Sequence, residues 1–446
     1  MSSVASVADL IGDGRADRRI YTDPDLFEQE MERIFRQTWI YVGHESQVAQ
    51  PGDFITTRMG TARLIVCRHS DGQVHVFHNR CSHRGAEVCT KNSGNTRDFR
   101  CPYHAWVYRT NGELANVPLP EGYVDYERRS AELGLEKVPR VSSYKGFIFA
   151  SQAATGMSLT DYLGFQVLSA FDNFVDRSPT GQLEVAPGRT VQTYRANWKF
   201  QIENSIDLLH PKILHSNAVN AAQVLSHKLQ QTRPNEPIPM EAELVKANGM
   251  QLHEWDSMRI AALPHGHCWM GGFLEEAAVE ADKKQNLDSG PAWRHAYRAA
   301  LEARHGPDKA AEVLAYSRHN TIVYPNLFIN PGLQQIRYLV PSAVDCTEQH
   351  GFVFRLKGAP DELLHLAVRA LNVANSPASL VTSDDHEVFE RMQESMASGQ
   401  RTWVDWSRGL DTEQKLDDGS RTGVGTNEIL MRNQLKAWTD YMKEAH

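Results

Sequence analysis

Cys81-Ser82-His83 and, after residues 84–100, seventeen in all, Cys101-Pro102-Tyr103-His104 decide how this 446-residue chain is read. Each motif brings one thiolate and one imidazole to a single loop, so two loops supply four ligands. A Cys2His2 set suits a structural zinc ion, tetrahedral and redox-silent. It equally suits a [2Fe–2S] cluster with two cysteines on one iron and two histidines on the other. Zinc fingers keep their cysteines together and their histidines together. Here both pairs are mixed, which fits two chemically unlike irons, because each loop must supply one ligand to each. Replacing two thiolates by neutral imidazoles lowers the cluster's negative charge and raises its potential. Such a cluster carries single electrons and does no substrate chemistry, so an acceptor site is expected elsewhere in the chain.

Around these motifs, from Trp39 to about Ser151, short β-rich runs such as Ala62–Arg68 and Val74–His78 alternate with turn signals, Ser70-Asp71-Gly72 and Thr110-Asn111-Gly112. This predicts a small all-β domain. Before it, Tyr21–Thr38 reads as a helix, with Asp23 as cap and Pro24 in the first turn. After it, Leu159–Phe174 reads as a helical connector. The remainder mixes strand-like runs (Thr190–Tyr194, Asn320–Phe328, Gln335–Pro341, His350–Leu356) with helical ones (Ile202–Asn217, Pro291–Arg304, Asp361–Val373, Asn427–Met442). Glu275–Gly306 reads as polar surface helix and loop. The expected class is α+β, the second region being an antiparallel sheet covered by helices. The expected divisions are a helical segment over 1–38, an all-β domain over 39–155 and a larger α+β domain over 156–446.

Hydrophobic residues make up 41% and charged residues 23%, the balance of a globular chain with a large core. The net charge of −8 argues against nucleic-acid binding through bulk charge. No apolar run is long enough to cross a bilayer, and Met1–Arg19 has no apolar signal-peptide core, so a cytoplasmic location and no membrane partner are expected. In that compartment the six cysteines stay reduced. Cys67 and Cys89 are read as small core hydrophobes.

The second constellation lies in Glu203-Asn204-Ser205-Ile206-Asp207-Leu208-Leu209-His210-Pro211-Lys212-Ile213-Leu214-His215. Two imidazoles and one carboxylate form the facial triad of mononuclear Fe(II) oxygenases, which leaves positions open for O2 and substrate. His210 and His215 are five apart, so a straight helix does not stack them, and Pro211 distorts or ends a helix at that point.

With both constellations in hand, the chain resembles the Rieske non-haem iron aromatic-ring-hydroxylating oxygenases, specifically their large catalytic alpha subunit. The resemblance rests on Cys-X-His and Cys-X-X-His, on Glu203-Asn204, Asp207, His210 and His215, and on Tyr324-Pro325-Asn326-Leu327 and the C-terminal helix with Trp438. One departure is Ala105, where the family usually has glycine. The resemblance implies a Rieske [2Fe–2S] cluster on Cys81, His83, Cys101 and His104, the cysteines on the iron that stays ferric. It implies a mononuclear Fe(II) on His210, His215 and a downstream carboxylate, in a helix-grip (START-like) catalytic domain. The matching acids are Asp384-Asp385; Asp385 is chosen, with Asp384 as the alternative and helix N-terminal acids as the competing structural role. His386 is read as a solvated neighbour. Asp207 is implied to bridge toward a Rieske histidine of a neighbouring subunit, and Asn204 to stand beside the iron.

The chain has no convincing flavin or nicotinamide fingerprint, Gly423-Val424-Gly425 lacking the third glycine and the preceding strand. Electrons are therefore expected from a separate reductase or ferredoxin, ultimately from NAD(P)H. The resemblance implies a homotrimer, or three such chains with three small β subunits. The expected reaction is cis-dihydroxylation of an aromatic, possibly carboxylated, substrate with O2. The alternatives are the same machinery used for monooxygenation or O/N-demethylation and, more remotely, an electron-transfer protein or a zinc-stabilised binding module. Arg259, His265, His267, His319 and Arg337 are candidates to hold a substrate carboxylate. Arg80, Arg84, Lys91, Arg97 and Arg100, around the cluster loops, are candidates to meet an acidic electron carrier.

Overall fold

A computed structural model describes residues 7–273, 291–399 and 402–443, and the chain divides into two compact units, 31–162 and 1–30 with 163–446. The first unit is built from short antiparallel strands. Strands β1 (Ile40–His44), β2 (Asp53–Met59), β3 (Ala62–Arg68), β4 (Val74–His78), β5 (Ser93–Asn95), β6 (Asp98–Arg100), β7 (Val107–Arg109), β8 (Leu114–Asn116), β9 (Arg140–Tyr144) and β10 (Phe147–Ser151) form three sheets, ordered β4-β3-β2-β5, β8-β7-β6 and β9-β10-β1. The turn signals act locally. Asp71 Oδ1 accepts from the Gln73 amide at 2.8 Å, and Asn111 Oδ1 from the Glu113 amide at 3.1 Å. Gly112 has φ +86°, and a Cβ there would stand 2.4 Å from the Phe77 ring, so the turn demands glycine on two counts. Phe54, Ile65, Phe77, Phe99, Trp106 and Tyr108 form a core that also buries Cys67, Cys81, Cys89 and Cys101.

The second unit carries a ten-stranded antiparallel sheet. Its strands are β11 (Leu183–Val185), β12 (Thr190–Tyr194), β13 (Met258–Ala262), β14 (Cys268–Phe273), β15 (Arg318–Val323), β16 (Leu327–Asn330), β17 (Gln335–Ala343), β18 (Cys346–Leu356), β19 (Gln414–Lys415) and β20 (Arg421–Thr422). The order is β11-β18-β17-β16-β15-β14-β13-β20-β19, with β12 also on β18. Long β18 takes β12 along Thr347–Gly351 and β11 along Phe354–Leu356. The helices that matter to the site are α1 (Pro24–Glu30), α2 (Trp198–Asn204), α3 (His210–Leu214), α4 (Ser216–Thr232), α5 (Met240–Ala247), α6 (Asp361–Asn375), α7 (Thr382–Ser398) and α8 (Ile429–Met442). Buried Glu30 ties three of them together, accepting from Trp198 Nε1 at 2.8 Å, Trp438 Nε1 at 2.6 Å and Lys199 Nζ at 2.5 Å.

Three sequence expectations need correcting. The single helix over 21–38 is instead the short Arg19–Thr22, α1 and a wider helical turn at Met31–Phe35. Asp23 before Pro24 is extended (φ −89°, ψ 116°), as a residue preceding proline prefers, and this separates the first two. The expected strand Asn320–Phe328 is two strands of a hairpin, β15 and β16, because Pro325 has no amide to give a sheet interior. The expected helix Ile202–Asn217 is three helices, α2, α3 and the start of α4. The expected helix Pro291–Arg304 is found at Ala292–His305, while residues 275–290 of the polar stretch lie outside the described residues. Among the described residues no helix is long and apolar enough to cross a membrane.

Candidate metal centres

In the first unit the two motifs fold into loops of matching hydrogen-bond pattern. The Cys81 amide donates to Ala86 O at 2.8 Å and the Gly85 amide to Cys81 O at 2.9 Å. In the second loop the Cys101 amide donates to Trp106 O at 2.8 Å and the Ala105 amide to Cys101 O at 3.1 Å. Gly85 (φ +76°) and Ala105 (φ +55°) thus occupy equivalent left-handed positions, which explains why glycine is expected at both. The thiols of Cys81 and Cys101 are buried, and the His83 and His104 rings are partly exposed, with centroids 4.7 Å apart at 72°. Trp106 stacks on His83 at 4.8 Å and 6°, fixing that ring.

The donor set fits a Rieske cluster on an observation independent of spacing. His83 Nδ1 and His104 Nδ1 are both buried, with no hydrogen-bond partner among the described residues. Two neighbouring unpartnered imidazole nitrogens, in the same two loops as two buried thiols, suit ligands to a metal group. Burial, then His104 and Arg84, push His83 below its ordinary value, which favours the neutral imidazole a metal needs. Tyr108, missed in the sequence, has its hydroxyl 3.0 Å from Cys81 Sγ while accepting from the Ser82 amide at 3.1 Å, so its proton is directed at the sulfur. Its position two residues beyond Trp106, where side chains of an extended chain share a face, was the available signal.

The second constellation is assembled by breaks in helix. α2 ends at Asn204, and α3 opens with His210 and with Pro211 in its first turn, where a missing amide costs nothing. His215 closes α3 with φ −89° and ψ 14° and precedes α4. Pro211 therefore begins a helix rather than ending one, and the two histidines stand at the ends of one short helix. α7 places Asp384 and Asp385 in its first turn.

His210 Nε2 lies 3.6 Å and His215 Nε2 3.4 Å from the same atom, Asp385 Oδ1. One donor atom from each of the three residues falls within 4.8 Å of the others. Cis ligands of an octahedral ion about 2.1 Å away lie about 3 Å apart, so these separations suit a single small cation. Asp384 does not join the cluster. Its Oδ2 lies 3.5 Å from His215 Nδ1, behind the ring, as Asp207 Oδ2 lies 3.7 Å from His210 Nδ1. Neither Nδ1 has a hydrogen-bond partner among the described residues, so each carboxylate acts on the imidazole in front of it through its charge, which favours a basic ring. Asp207 Oδ1 also accepts from the Leu209 amide at 2.7 Å. Burial pushes the Asp207 carboxyl up, but the nearby His210 ring and the backbone amides outweigh it and hold the group below its ordinary value. Burial raises Asp385 above the usual carboxylate range against the pull of His210, His215, Asn204 and Arg337. Asn204 Nδ2 donates to Asp385 Oδ1 at 3.1 Å.

His386 is not a solvated neighbour. Its ring stacks on Tyr194 with centroids 4.5 Å apart, and burial lowers its pKa to about 4. Among the candidates for a substrate carboxylate, His267 is buried and its Nδ1 accepts from the Tyr324 amide at 3.0 Å, whereas Arg337 is near enough for its charge to act on Asp385.

Residues 38–139 match the family model of the Rieske [2Fe-2S] domain, and residues 182–444 that of the ring hydroxylating alpha subunit catalytic domain. The chain belongs to the ring-hydroxylating oxygenase alpha subunits. It is 32% identical to the anthranilate 1,2-dioxygenase large subunit of Acinetobacter baylyi, over 95% of this chain and 88% of that one. It is 33% identical to the toluate 1,2-dioxygenase alpha subunit of Pseudomonas putida, over 97% and 91%. A naphthalene 1,2-dioxygenase structure with indole in its active site superposes with a TM-score of 0.78 at 25% identity, over 97% of this chain and 93% of the other. Membership implies both groups that the donor sets fit, a Rieske [2Fe–2S] cluster and a mononuclear iron. The all-β Rieske domain and the antiparallel sheet with helices are the fold expected of such an alpha subunit.

Proposed function

We propose that this alpha subunit is the terminal component of a dioxygenase system that adds both atoms of O2 to adjacent carbons of an aromatic ring, giving a cis-dihydrodiol. The observation that carries this reading is the convergence of His210 Nε2, His215 Nε2 and Asp385 Oδ1 in a chain whose other unit gathers Cys81, His83, Cys101 and His104. In this reading His210, His215 and Asp385 hold the mononuclear Fe(II). Cys81 and Cys101 hold one iron of the cluster and His83 and His104 the other. When bound, the two groups supply what side chains lack, one-electron storage and activation of O2. The chain's own residues keep the donors in place: Asn204 fixes Asp385, while Asp384 and Asp207 place negative charge behind the two imidazoles.

The balance of the reaction is arene, O2, two electrons and two protons going to the dihydrodiol. NAD(P)H supplies the electrons through a separate reductase or ferredoxin. Arg80, Arg84, Lys91, Arg97 and Arg100 are all exposed and flank the cluster loops, which suits an acidic carrier. The assembly is a homotrimer, with or without a small β subunit, in which half-buried Asp207 faces His104 of the partner subunit. The names of the anthranilate and toluate relatives favour a ring bearing a carboxylate.

The test is turnover under labelled O2 with a generic reductase, NADH and a panel of aromatic acids. Two labelled oxygens in one product support dioxygenation. One labelled oxygen, or loss of a methyl group, replaces it with monooxygenation or demethylation. A colourless protein holding zinc overturns the reading altogether.

A further inference from the structure

Arg337 lies on β17, opposite Phe328 of β16 and Gly351 of β18. It is set deep in the second unit yet retains some accessible surface. Its guanidinium lies 5.0 Å from the centroid of the Phe328 ring. Nη1 donates to Asn375 Oδ1 at 2.8 Å and Nη2 to Asn320 Oδ1 at 3.4 Å. Asn320 in turn donates to Ser205 O at 2.9 Å, at the start of the turn that leads from α2 to His210. Arg337 is thereby linked to the backbone of the metal-site segment, and its charge reaches Asp385.

The cation has no acidic partner among the described residues: both its acceptors are neutral amides. The nearest acid whose charge it feels, Asp385, is committed to the cluster of donors described above. A guanidinium carries five N–H groups, and two are used here, so an edge remains open to an acceptor. Burying a cation without a counter-anion is costly, and a planar oxyanion that takes two parallel N–H bonds offsets that cost best. The contrast with Lys199, buried against Glu30, and Arg432, half-buried and paired with Glu413 at 2.8 Å, marks the difference between a cation neutralised within the fold and one left open.

We propose that Arg337 is the specificity-determining residue that holds the carboxylate of an aromatic acid substrate, with Asn320 and Asn375 as positioning residues that set the plane of its guanidinium. The inference rests on the ring-hydroxylase reading and names its substrate anchor. The Asn375 and Asn320 acceptors fix the plane of the guanidinium, and its remaining N–H groups are those a carboxylate would take.

The test is anaerobic calorimetry on the holoenzyme with benzoate and 2-naphthoate against the matching amides, benzamide and 2-naphthamide. Wild type is expected to bind at least one acid about 100-fold more tightly than its amide. Arg337→Gln is expected to abolish that preference while changing amide binding little, and Arg337→Lys to restore part of it. Retained cluster absorbance and an unchanged melting temperature show that each variant is folded. Equal binding of acid and amide by wild type overturns the inference without any variant, and so does an acid preference that survives in Arg337→Gln. Turnover is read separately. Ring hydroxylation without acid preference sinks the anchor and leaves the oxygenase reading, whereas Arg337-dependent acid binding without oxygen uptake does the opposite.

Discussion

The Asn204 amide donates at 3.1 Å to Asp385 Oδ1, the very oxygen that the Nε2 atoms of His210 and His215 approach. It takes one lone pair of that oxygen and leaves the other for a cation, so it both orients the carboxylate and moderates its charge. Asp385→Ala is expected to remove the mononuclear iron and spare the cluster, leaving about two irons per chain in place of about three. Asn204→Ala is expected to weaken iron binding by about tenfold, the usual effect of losing a hydrogen bond behind a ligand. Metal analysis and the visible spectrum of each variant decide; full mononuclear iron in Asp385→Ala rejects the ligand assignment.

Ala105 sits at φ +55° in the second cluster loop, where the first loop has Gly85 at φ +76°. The left-handed region costs an alanine about 1–2 kcal/mol. Glycine relieves that strain but loses about 0.5–1 kcal/mol of unfolded-state entropy. Ala105→Gly is therefore expected to stabilise the Rieske unit by about 0.5–1 kcal/mol, seen as a higher denaturant midpoint for loss of cluster absorbance. A lower midpoint in the variant contradicts the strain.

The candidate donor sets were legible in part because ligand chemistry is local. Cys81, His83, Cys101 and His104 lie in two short motifs whose spacing singles them out, and His210 and His215 lie in one segment that was read through the resemblance. Asp385 was reached only by resemblance, since a carboxylate 170 residues downstream carries no sequence mark of its own. Its distinction from Asp384 depends on which way each points from the first turn of α7, a property of packing. Helix breaks around His210 escaped the reading because Pro211 serves equally to start or to stop a helix. Tyr108 was missed because its partners, Cys81 and Ser82, come from the other loop. Arg337 was a candidate from the sequence, but its partners Asn320 on β15 and Asn375 on α6 were obscured because only the fold brings them to it.

Burial pushes the Glu203 carboxyl from the ordinary 4.5 up to about 8, against the opposing pull of Tyr21 and Lys199. Tyr21 donates to Glu203 Oε1 at 2.9 Å. The folded chain thus holds a proton that the unfolded chain releases near pH 4.5, so this group makes stability fall as pH rises from about 4.5 to about 8. Glu203→Gln keeps an acceptor for Tyr21 and removes the titration. The melting temperature of the variant is expected to decline less than that of wild type across this window, the two curves diverging toward pH 8. Parallel curves refute the raised value.

Glu30 accepts from two indoles and one ammonium, and all four side chains are buried. Removing either end of a buried ion pair costs about 3–5 kcal/mol, because the remaining charge is stranded. The two ends are not equivalent here. Without Glu30, Lys199 loses its counter-charge while the indole N–H groups of Trp198 and Trp438 lose their acceptor. Without Lys199, Glu30 keeps both indole donors and can take up a proton. Lys199 also stands 4.9 Å from the Trp198 ring centroid, so an apolar replacement of similar length preserves the packing. Glu30→Ala is therefore expected to destabilise the unit by about 3–5 kcal/mol, Lys199→Met by less, and the double variant by less than the sum. α1, α2 and α8 all meet at Glu30, and α2 ends in Asn204, so Glu30→Ala is also expected to loosen iron binding in the folded fraction. Denaturant titration of the four-member cycle measures the coupling; additive costs, or a Glu30→Ala cost below about 1 kcal/mol, exclude the asymmetric clamp.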